Sequence, residues 1–425
     1  MKSIKGNSGI TLITLAVTIV VILILAGVTL DVTLGENGIL NKSKEAADRM
    51  NNLVKEDETE LNELLNELNE TMDSNWNSNI EIPDPDPEKP TDIEDVTDIQ
   101  DETVQVEDEY GNKVTIPKGF EVVEEEGTTV PEGIVIQDKD GNQFVWIPVG
   151  RVYKDSSGTN YSDIKLGRYT FDRTNGTPTP IQLAYTEESP ENYKQLVTLE
   201  TYHQEYATRA NQDGVASGGK DGLNAIAKNL GAFVDSVRNN GGYYLGRYEA
   251  SYGNGDSVAN YKPLSKVSTG TPRTSSSTAL TQGMLWNYVT QIDGAKISRN
   301  MYNNDSSVGV ESDLVNSYAW DTAIVFIQAM GNGNENYANK TSVNESIANT
   351  GTTGDEVCNI HDMASNCIEW STEYSTFTNS RYAYPCVPRG GYYTSSFYGT
   401  ASRLYDGLVT NKDSHRSFRL TLYVK

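Results

Sequence analysis

The sequence predicts an α+β body, rich in loops, carried by a membrane-spanning helix and an extended stalk. Three observations predict it. Residues 10–30 form an uncharged apolar run, residues 77–112 are acidic and proline-rich, and from residue 113 short alternating segments mix with turn signals and a few stretches of helical spacing. The composition agrees, since 37% apolar residues with 36 Gly and 25 Tyr among 425 suit a loop-rich globular chain rather than a disordered one.

Residues 1–9 are a polar leader carrying Lys2 and Lys5. Ile10 to Leu30 reads I-T-L-I-T-L-A-V-T-I-V-V-I-L-I-L-A-G-V-T-L, 21 residues without a charge. A helix of that length spans the roughly 30 Å hydrocarbon core. Its threonines are tolerated because a hydroxyl bonds back to the carbonyl one turn earlier. No A-x-A-like cleavage site follows, and the run exceeds the apolar region of a secretory signal. The lysines before the span and the acidic sequence after it place the N-terminus in the cytoplasm. The expected location is the cell membrane, single-pass through residues 10–30, with the C-terminal domain extracellular.

Residues 36–76 read as a charged helical stalk. Val54, Leu61, Leu65, Leu68 and Met72 make a narrow seam along it. Two heptads are too few for a coiled coil, but the seam offers a face for self-association with a second copy or for packing on the body. Residues 77–112 contain I-P-D-P-D-P-E-K-P, where alternating proline and like charge hold the backbone extended. Between Glu45 and Glu132 there are 28 acidic and 5 basic residues, which accounts for nearly all of the net charge of −25. The body is therefore close to neutral, and with no basic face, nucleic acid is excluded as a partner.

In the body, residues 113–425, the segments V-T-I-P-K-G-F-E-V-V, G-I-V-I-Q-D and N-Q-F-V-W-I-P-V-G alternate as β-strands do. D-K-D-G-N, Asp138 to Asn142, reads as a hairpin turn rather than a calcium loop, because the remaining ligand spacing is missing. A helix is expected around Gly222 to Val237 and a strand within Asn240 to Ser251. Leu280–Val289 and Ser317–Met330 carry apolar residues at i, i+3, i+4 spacing and predict amphipathic helices, the second closed by Gly331. Cys358, Cys367 and Cys386 are too few and odd in number for a disulfide framework. One bridge is open to them outside the cell, with Cys367–Cys386 the preferred pair.

W-I-P-V-G, Y-Y-L-G-R-Y-E, the W-D helix, H-D-M-A-S-N-C-I-E-W, R-G-G-Y-Y and R-S-F-R follow one another in the order found in the formylglycine-generating enzyme, or sulfatase-modifying factor, family. The chain resembles that family from Val114 to Lys425. The resemblance implies a body of low regular secondary structure related to C-type lectin folds. It also implies copper chemistry at two cysteines a few residues after the G-G of R-G-G. Ser395 stands near the first of those positions and no cysteine follows Cys386. A hydroxyl does not replace a copper thiolate, so no copper is expected. A related branch holds iron with three histidines. His203, His361 and His415 form no such pattern, and His361 is expected at the surface, so no iron is expected either. At the other end, N-S-G-I-T-L-I-T-L resembles the start of type IV prepilins, with processing between Gly9 and Ile10. Thr14 occupies the position where assembling pilins carry Glu.

The family resemblance further implies a structural calcium held by the side chains of Asp362 and Glu369 and the carbonyls of Ser365 and Cys367, hard oxygen for a hard cation. Arg389, Arg403 and Arg419 are expected to bond carbonyls and carboxylates across the core, and Trp146, Trp320 and Trp370 to be buried. The stretch Tyr392 to Asp413 is rich in Tyr, Ser, Thr and Asn, the mixture of rigid aromatics and adaptable polar groups found in binding loops. Its predicted binding surface is Tyr392, Tyr393, Ser395, Ser396, Tyr398, Arg403 and Tyr405. Together these features predict a membrane-anchored bacterial surface protein whose catalytically silent domain recognises an extracellular protein or glycan. The alternatives are an oxidoreductase that departs from the family's chemistry, using Cys358, Cys367 or Cys386, and a minor pilin or pseudopilin subunit.

Overall fold

A computed structural model describes residues 91–185, 230–374, 386–404 and 411–425. The chain divides into two units, Met1–Pro87 and Glu88–Lys425, and the described residues belong to the second. The expected leader, membrane helix and stalk helix, with Gly9 and Ile10, lie outside the described residues. Among the described residues no helix is long and apolar enough to cross a membrane.

The compact unit begins at Glu88 rather than at residue 113. Ile93, Val96, Val104 and Val106 are buried, and β1 (Val104–Glu107) pairs antiparallel with β2 (Lys113–Ile116). Only the exposed face of β1 is polar, so the acidic residues around it conceal a two-residue period.

β3 (Phe120–Val122), β4 (Val135–Asp138) and β5 (Gln143–Pro148) form a meander. Two hairpins follow, β6 (Gly150–Tyr153) with β7 (Tyr161–Ile164), and β8 (Gly167–Phe171) with β9 (Pro178–Leu183). Next come α1 (Leu230–Asn240), β10 (Gly242–Gly246) and the pair β11 (Ser251–Asn254) and β12 (Lys262–Leu264). After α2 (Gln291–Arg299), β13 (Val310–Leu314) and α3 (Ser317–Met330) lie β14 (Glu356–Val357) and β15 (Ile360–His361). A three-stranded sheet has β16 (Ile368–Tyr374) between β17 (Cys386–Arg389) and the parallel β18 (Arg416–Phe418), and β19 (Leu420–Val424) closes the chain. The central sheet runs β13-β19-β10-β5-β4-β3, antiparallel throughout. The body is mostly β with few helices, and α1 lies against β10 and β19 while α3 lies against β8 and β5.

Local chemistry explains several elements. In the β4–β5 turn, Asp138 Oδ1 accepts from the amides of Asp140 (3.0 Å) and Asn142 (2.8 Å), with Gly141 at φ 76°. The β1–β2 turn repeats this with Asp108, Tyr110, Asn112 and Gly111. The shared pattern D-x-x-G-N is thus a small internal repeat. α3 starts where the Asn316 side chain accepts from the Ala319 amide at 2.9 Å and ends at Gly331.

The helix expected over Leu280–Val289 is absent. Gly283 sits at φ 85°, and the segment lies extended beside β11, with Trp286 N bonded to Ala250 O (2.9 Å) and Gly283 N to Tyr252 O (2.7 Å). Helix forms one segment later, at α2, where Thr290 caps the Asp293 amide. In the core, Trp146 packs on Tyr244 with ring centroids 5.0 Å apart, and Phe233 of α1 meets Tyr243 and Tyr423.

Candidate functional site

Beneath the predicted binding stretch lies a buried charge network. Asp321 comes from α3, Glu373 from β16, Arg168 from β8 and Arg389 from the end of β17. Arg403 reaches it from a single antiparallel bridge to Arg389. Arg389 donates to Asp321 Oδ1 (2.5 Å) and Glu373 Oε2 (3.2 Å). Arg403 donates to Asp321 Oδ2, to Glu373 Oε1 (3.1 Å) and to Tyr169 O (2.9 Å). Arg168 also donates to Glu373. Among the described residues, Glu373 thus meets three guanidiniums and Asp321 two. Burial alone would raise the Glu373 pKa, but Arg403, Arg168 and Arg389 outweigh it and hold the carboxyl at about 2. The expectation that Arg389 and Arg403 bond across the core is met, and Trp320 above them donates Nε1–H to Thr400 O at 2.9 Å.

Arg419 centres a second network. It donates to both oxygens of Glu369 (2.7 and 3.0 Å) and to the carbonyls of Gly246, Arg247 and His361. Nearby, Glu249 accepts from Asn366 Nδ2 (2.5 Å) and Cys367 N (2.8 Å). Asp362 accepts from Thr350 Oγ1 (2.8 Å), Gly351 N (2.7 Å) and Thr353 Oγ1. Burial, reinforced by Asp362 and Glu369, pushes the Glu249 carboxyl well up.

This is where the resemblance implied calcium. Asp362, Ser365, Cys367 and Glu369 are all buried. The two carboxylates, however, face hydroxyl, amide and guanidinium donors of the chain itself. A cation beside Glu369 would have to displace Arg419, so the residues as arranged do not fit the ion. Among the described residues no group of three or more His, Cys, Asp or Glu is placed to hold a metal.

The surface above the first network is aromatic. Tyr392 stacks on His415 (4.8 Å between centroids) and lies 6.1 Å from Tyr398, which meets Phe397 edge-on at 5.4 Å. Tyr393 pairs its hydroxyl with Ser414 Oγ at 2.9 Å. Tyr392, Tyr393, Tyr398 and Arg403 are half-buried and Ser396 is exposed. Ser395 is 8% exposed and corrects the expectation for a contact residue. Its Oγ instead accepts from the Phe397 and Tyr398 amides and shapes the turn. Tyr405 lies outside the described residues.

Phe397, which the sequence reading passed over, is 83% exposed. It borders a cleft of about 530 Å³ shared with Tyr398, Arg403, Asn339 and, from the β8–β9 hairpin, Phe171 and Arg173. A larger cleft of about 710 Å³ lies elsewhere, between the Asp138 turn and β12. Its lysines (118, 139, 262, 266) are matched by aspartates (101, 138, 140, 305), and it meets the D-K-D-G-N turn but none of the residues of the predicted binding surface.

The three cysteines are free thiols, which corrects the Cys367–Cys386 pair. Cys386 pairs with Tyr374 at the far end of β16, while Cys367 precedes its first residue. At about 3.3 Å per residue the two stand roughly 20 Å apart along the strand, far beyond disulfide reach. None of the cysteines lines the cleft. His361 is 8% exposed rather than on the surface; it stacks on Tyr248 at 4.8 Å and meets Glu356 at 3.1 Å.

No family model and no curated protein matches the chain. Among solved structures it is similar to the Major Tropism Determinant P3c variant at 12% identity, covering 77% of this chain and 83% of that one, with a TM-score of 0.27. It is likewise similar to the I1 variant at 11% identity, covering 79% and 99%, with a TM-score of 0.26. Similarity this low carries no argument about what the chain does.

Proposed function

We propose that the chain is a recognition module of the bacterial cell surface, binding an extracellular ligand through the Tyr392–Arg403 face. One observation carries the reading. An exposed aromatic side chain borders a cleft whose floor is fixed by a buried arginine–carboxylate network. Binding surfaces pair rigid aromatics with adaptable polar groups on a scaffold that holds them in place, and here α3, β8 and β16 are the scaffold.

The six motifs shared in order with the formylglycine-generating enzyme family support a catalytically silent relative of that fold. The apolar run at 10–30 and the acidic proline-rich stretch support presentation outside a single-pass membrane anchor. The alternative oxidoreductase needs thiols at the cleft, and none of the three cysteines is among its described lining residues.

The test is a screen of glycans and surface proteins with the full chain and with the double variant Tyr393→Ala, Phe397→Ala. A ligand held by the natural chain and lost by the variant supports the reading. Ligands held equally by both refute it, as does copper(I) bound stoichiometrically by two cysteines.

A further inference from the structure

We infer that the cleft beside Phe397 takes a neutral saccharide, with one pyranose ring lying on the Phe397 side chain. The inference rests on the recognition reading and names its ligand class.

Hydrogen-bonding capacity is the first argument. Asn339 uses its Nδ2 on Asp172 O (2.8 Å) and Asn336 Oδ1 (2.6 Å), and among the described residues nothing donates to its Oδ1. Ser402 bonds through its backbone to Gly399, Gly390 and Arg389, and no described residue engages its hydroxyl. Arg173 is exposed at the rim, and among the described residues no hydrogen bond or ion pair engages it. All three line the cleft. The site therefore presents an acceptor, a fork of donors and a hydroxyl that serves as either. An apolar ligand would take these groups from water and return no bond. A sugar hydroxyl both donates and accepts, so a polyol meets all three. The charges do not select an ion, because Arg173 stands beside the exposed Asp172 and Arg403 is held by Asp321 and Glu373.

Shape is the second argument. The volume of about 530 Å³ falls among small-ligand sites, typically about 300–1,000 Å³. Its walls are already bonded to one another. The Asn339 bond to Asp172 O ties in the β8–β9 hairpin, and Ala401 N donates to Ala338 O at 2.9 Å. Ser395 Oγ accepts from the Phe397 (3.4 Å) and Tyr398 (3.1 Å) amides and fixes the turn that carries the ring. A ligand therefore meets a cleft that needs little further ordering. Phe397 stands at right angles to Tyr398, so the two rings do not stack, and its ring is left open to solvent. A protein interface buries roughly 800 Å² per partner around several apolar anchors. One exposed ring matches one sugar instead, whose flat face of polarised C–H groups suits the electron-rich face of a phenyl.

The experiment uses the full chain in a polyoxyethylene detergent, whose headgroup is not a sugar, titrated calorimetrically with cellohexaose, maltohexaose and N-acetylchitohexaose. Expected is binding of at least one of them with a dissociation constant of about 1 mM or tighter, unchanged as salt rises because no ion pair forms. Phe397→Ala should weaken it roughly tenfold while Phe397→Trp keeps it, and Ser402→Ala should weaken it several-fold. Thermal unfolding of the three variants should match the natural chain, because Phe397 is exposed and no described residue bonds the Ser402 hydroxyl. The inference is overturned if none of the three saccharides binds, if binding fades as salt rises, or if Phe397→Ala and Ser402→Ala bind as tightly as the natural chain. If no saccharide binds but a protein ligand is held and is lost with Tyr393→Ala, Phe397→Ala, the recognition reading stands and only its ligand class falls.

Discussion

Glu373→Gln is the most informative perturbation of the molecule. Glu373 is buried and shared by Arg168, Arg389 and Arg403, so replacing it with a neutral isostere takes a carboxylate from all three guanidiniums at once, while Asp321 still meets Arg389 and Arg403. Its carboxyl titrates at about 2 in the fold against an ordinary 4.5. At about 1.4 kcal/mol per pH unit, that separation is worth about 3 kcal/mol of stability at neutral pH. The figure agrees with the roughly 3–5 kcal/mol lost when one partner of a buried ion pair is removed.

The direction with pH follows from the depressed pKa. The stabilisation is fully present above pH 4.5 and is lost as the pH falls toward 2, where the folded carboxyl also takes up its proton. Urea unfolding of the natural chain and the variant, followed by tryptophan fluorescence between pH 7 and pH 3, should show a gap of about 3 kcal/mol at pH 7 that narrows below pH 4.5. A gap under about 1 kcal/mol at pH 7, or one unchanged down to pH 3, would show that the arginines do not hold this carboxylate ionised.

Asp313 works in the opposite sense. Burial outweighs Arg299 at 2.9 Å and raises its pKa to about 6 from 3.8, so its contribution falls as the pH rises from about 4 to 6, and Asp313→Asn should abolish that fall in urea titrations. Burial pushes the Cys358 thiol up to about 12 and raises Cys367 and Cys386 as well. A thiol reagent at pH 8 should therefore label none of the three in the folded chain and all three in denaturant, without prior reduction. Gly242→Ala places a methyl 2.6 Å from the Ile147 carbonyl oxygen and against the Trp146 ring, and a loss of about 1–3 kcal/mol in the same unfolding assay is expected from the overpacking. Arg403→Lys keeps the charge but loses the fork that holds Asp321, Glu373 and Tyr169 O together; it should lower stability in the same urea assay.

How far the fold could be read in advance varied with the local chemistry. α3 was legible from end to end, because Asn316, Gly331 and an apolar spacing between them agree. Leu280–Val289 has similar spacing, but Gly283 and the pairing with β11 hold it extended. α2 gave no signal, since Ile297 is the one large apolar residue on its buried face and the others, Gln291, Gly294, Ala295 and Ser298, are small or polar and leave no hydrophobic period. At the site, the arginines could be recognised as bonding groups, but their partners could not, because Asp321 is 68 and 82 residues from Arg389 and Arg403. Phe397 lay inside the stretch singled out as a binding surface, whereas Arg173 comes from a hairpin more than two hundred residues earlier and only the fold brings it to the cleft.

The buried network explains why a binding face can sit on so little regular structure. Residues 391–404 contribute no strand of their own to a sheet, and loops left to themselves would present Tyr392, Phe397 and Tyr398 in many arrangements. Well-packed apolar residues could stabilise the same region equally well. They would not fix direction, because apolar contacts tolerate sliding while a guanidinium shared between Asp321 and Glu373 admits few positions. Arg389 and Arg403 therefore tie the loop to α3, β8 and β16 at once. Changes in the floor should move stability and binding together, and changes at the rim, at Phe397 and Arg173, should move binding alone.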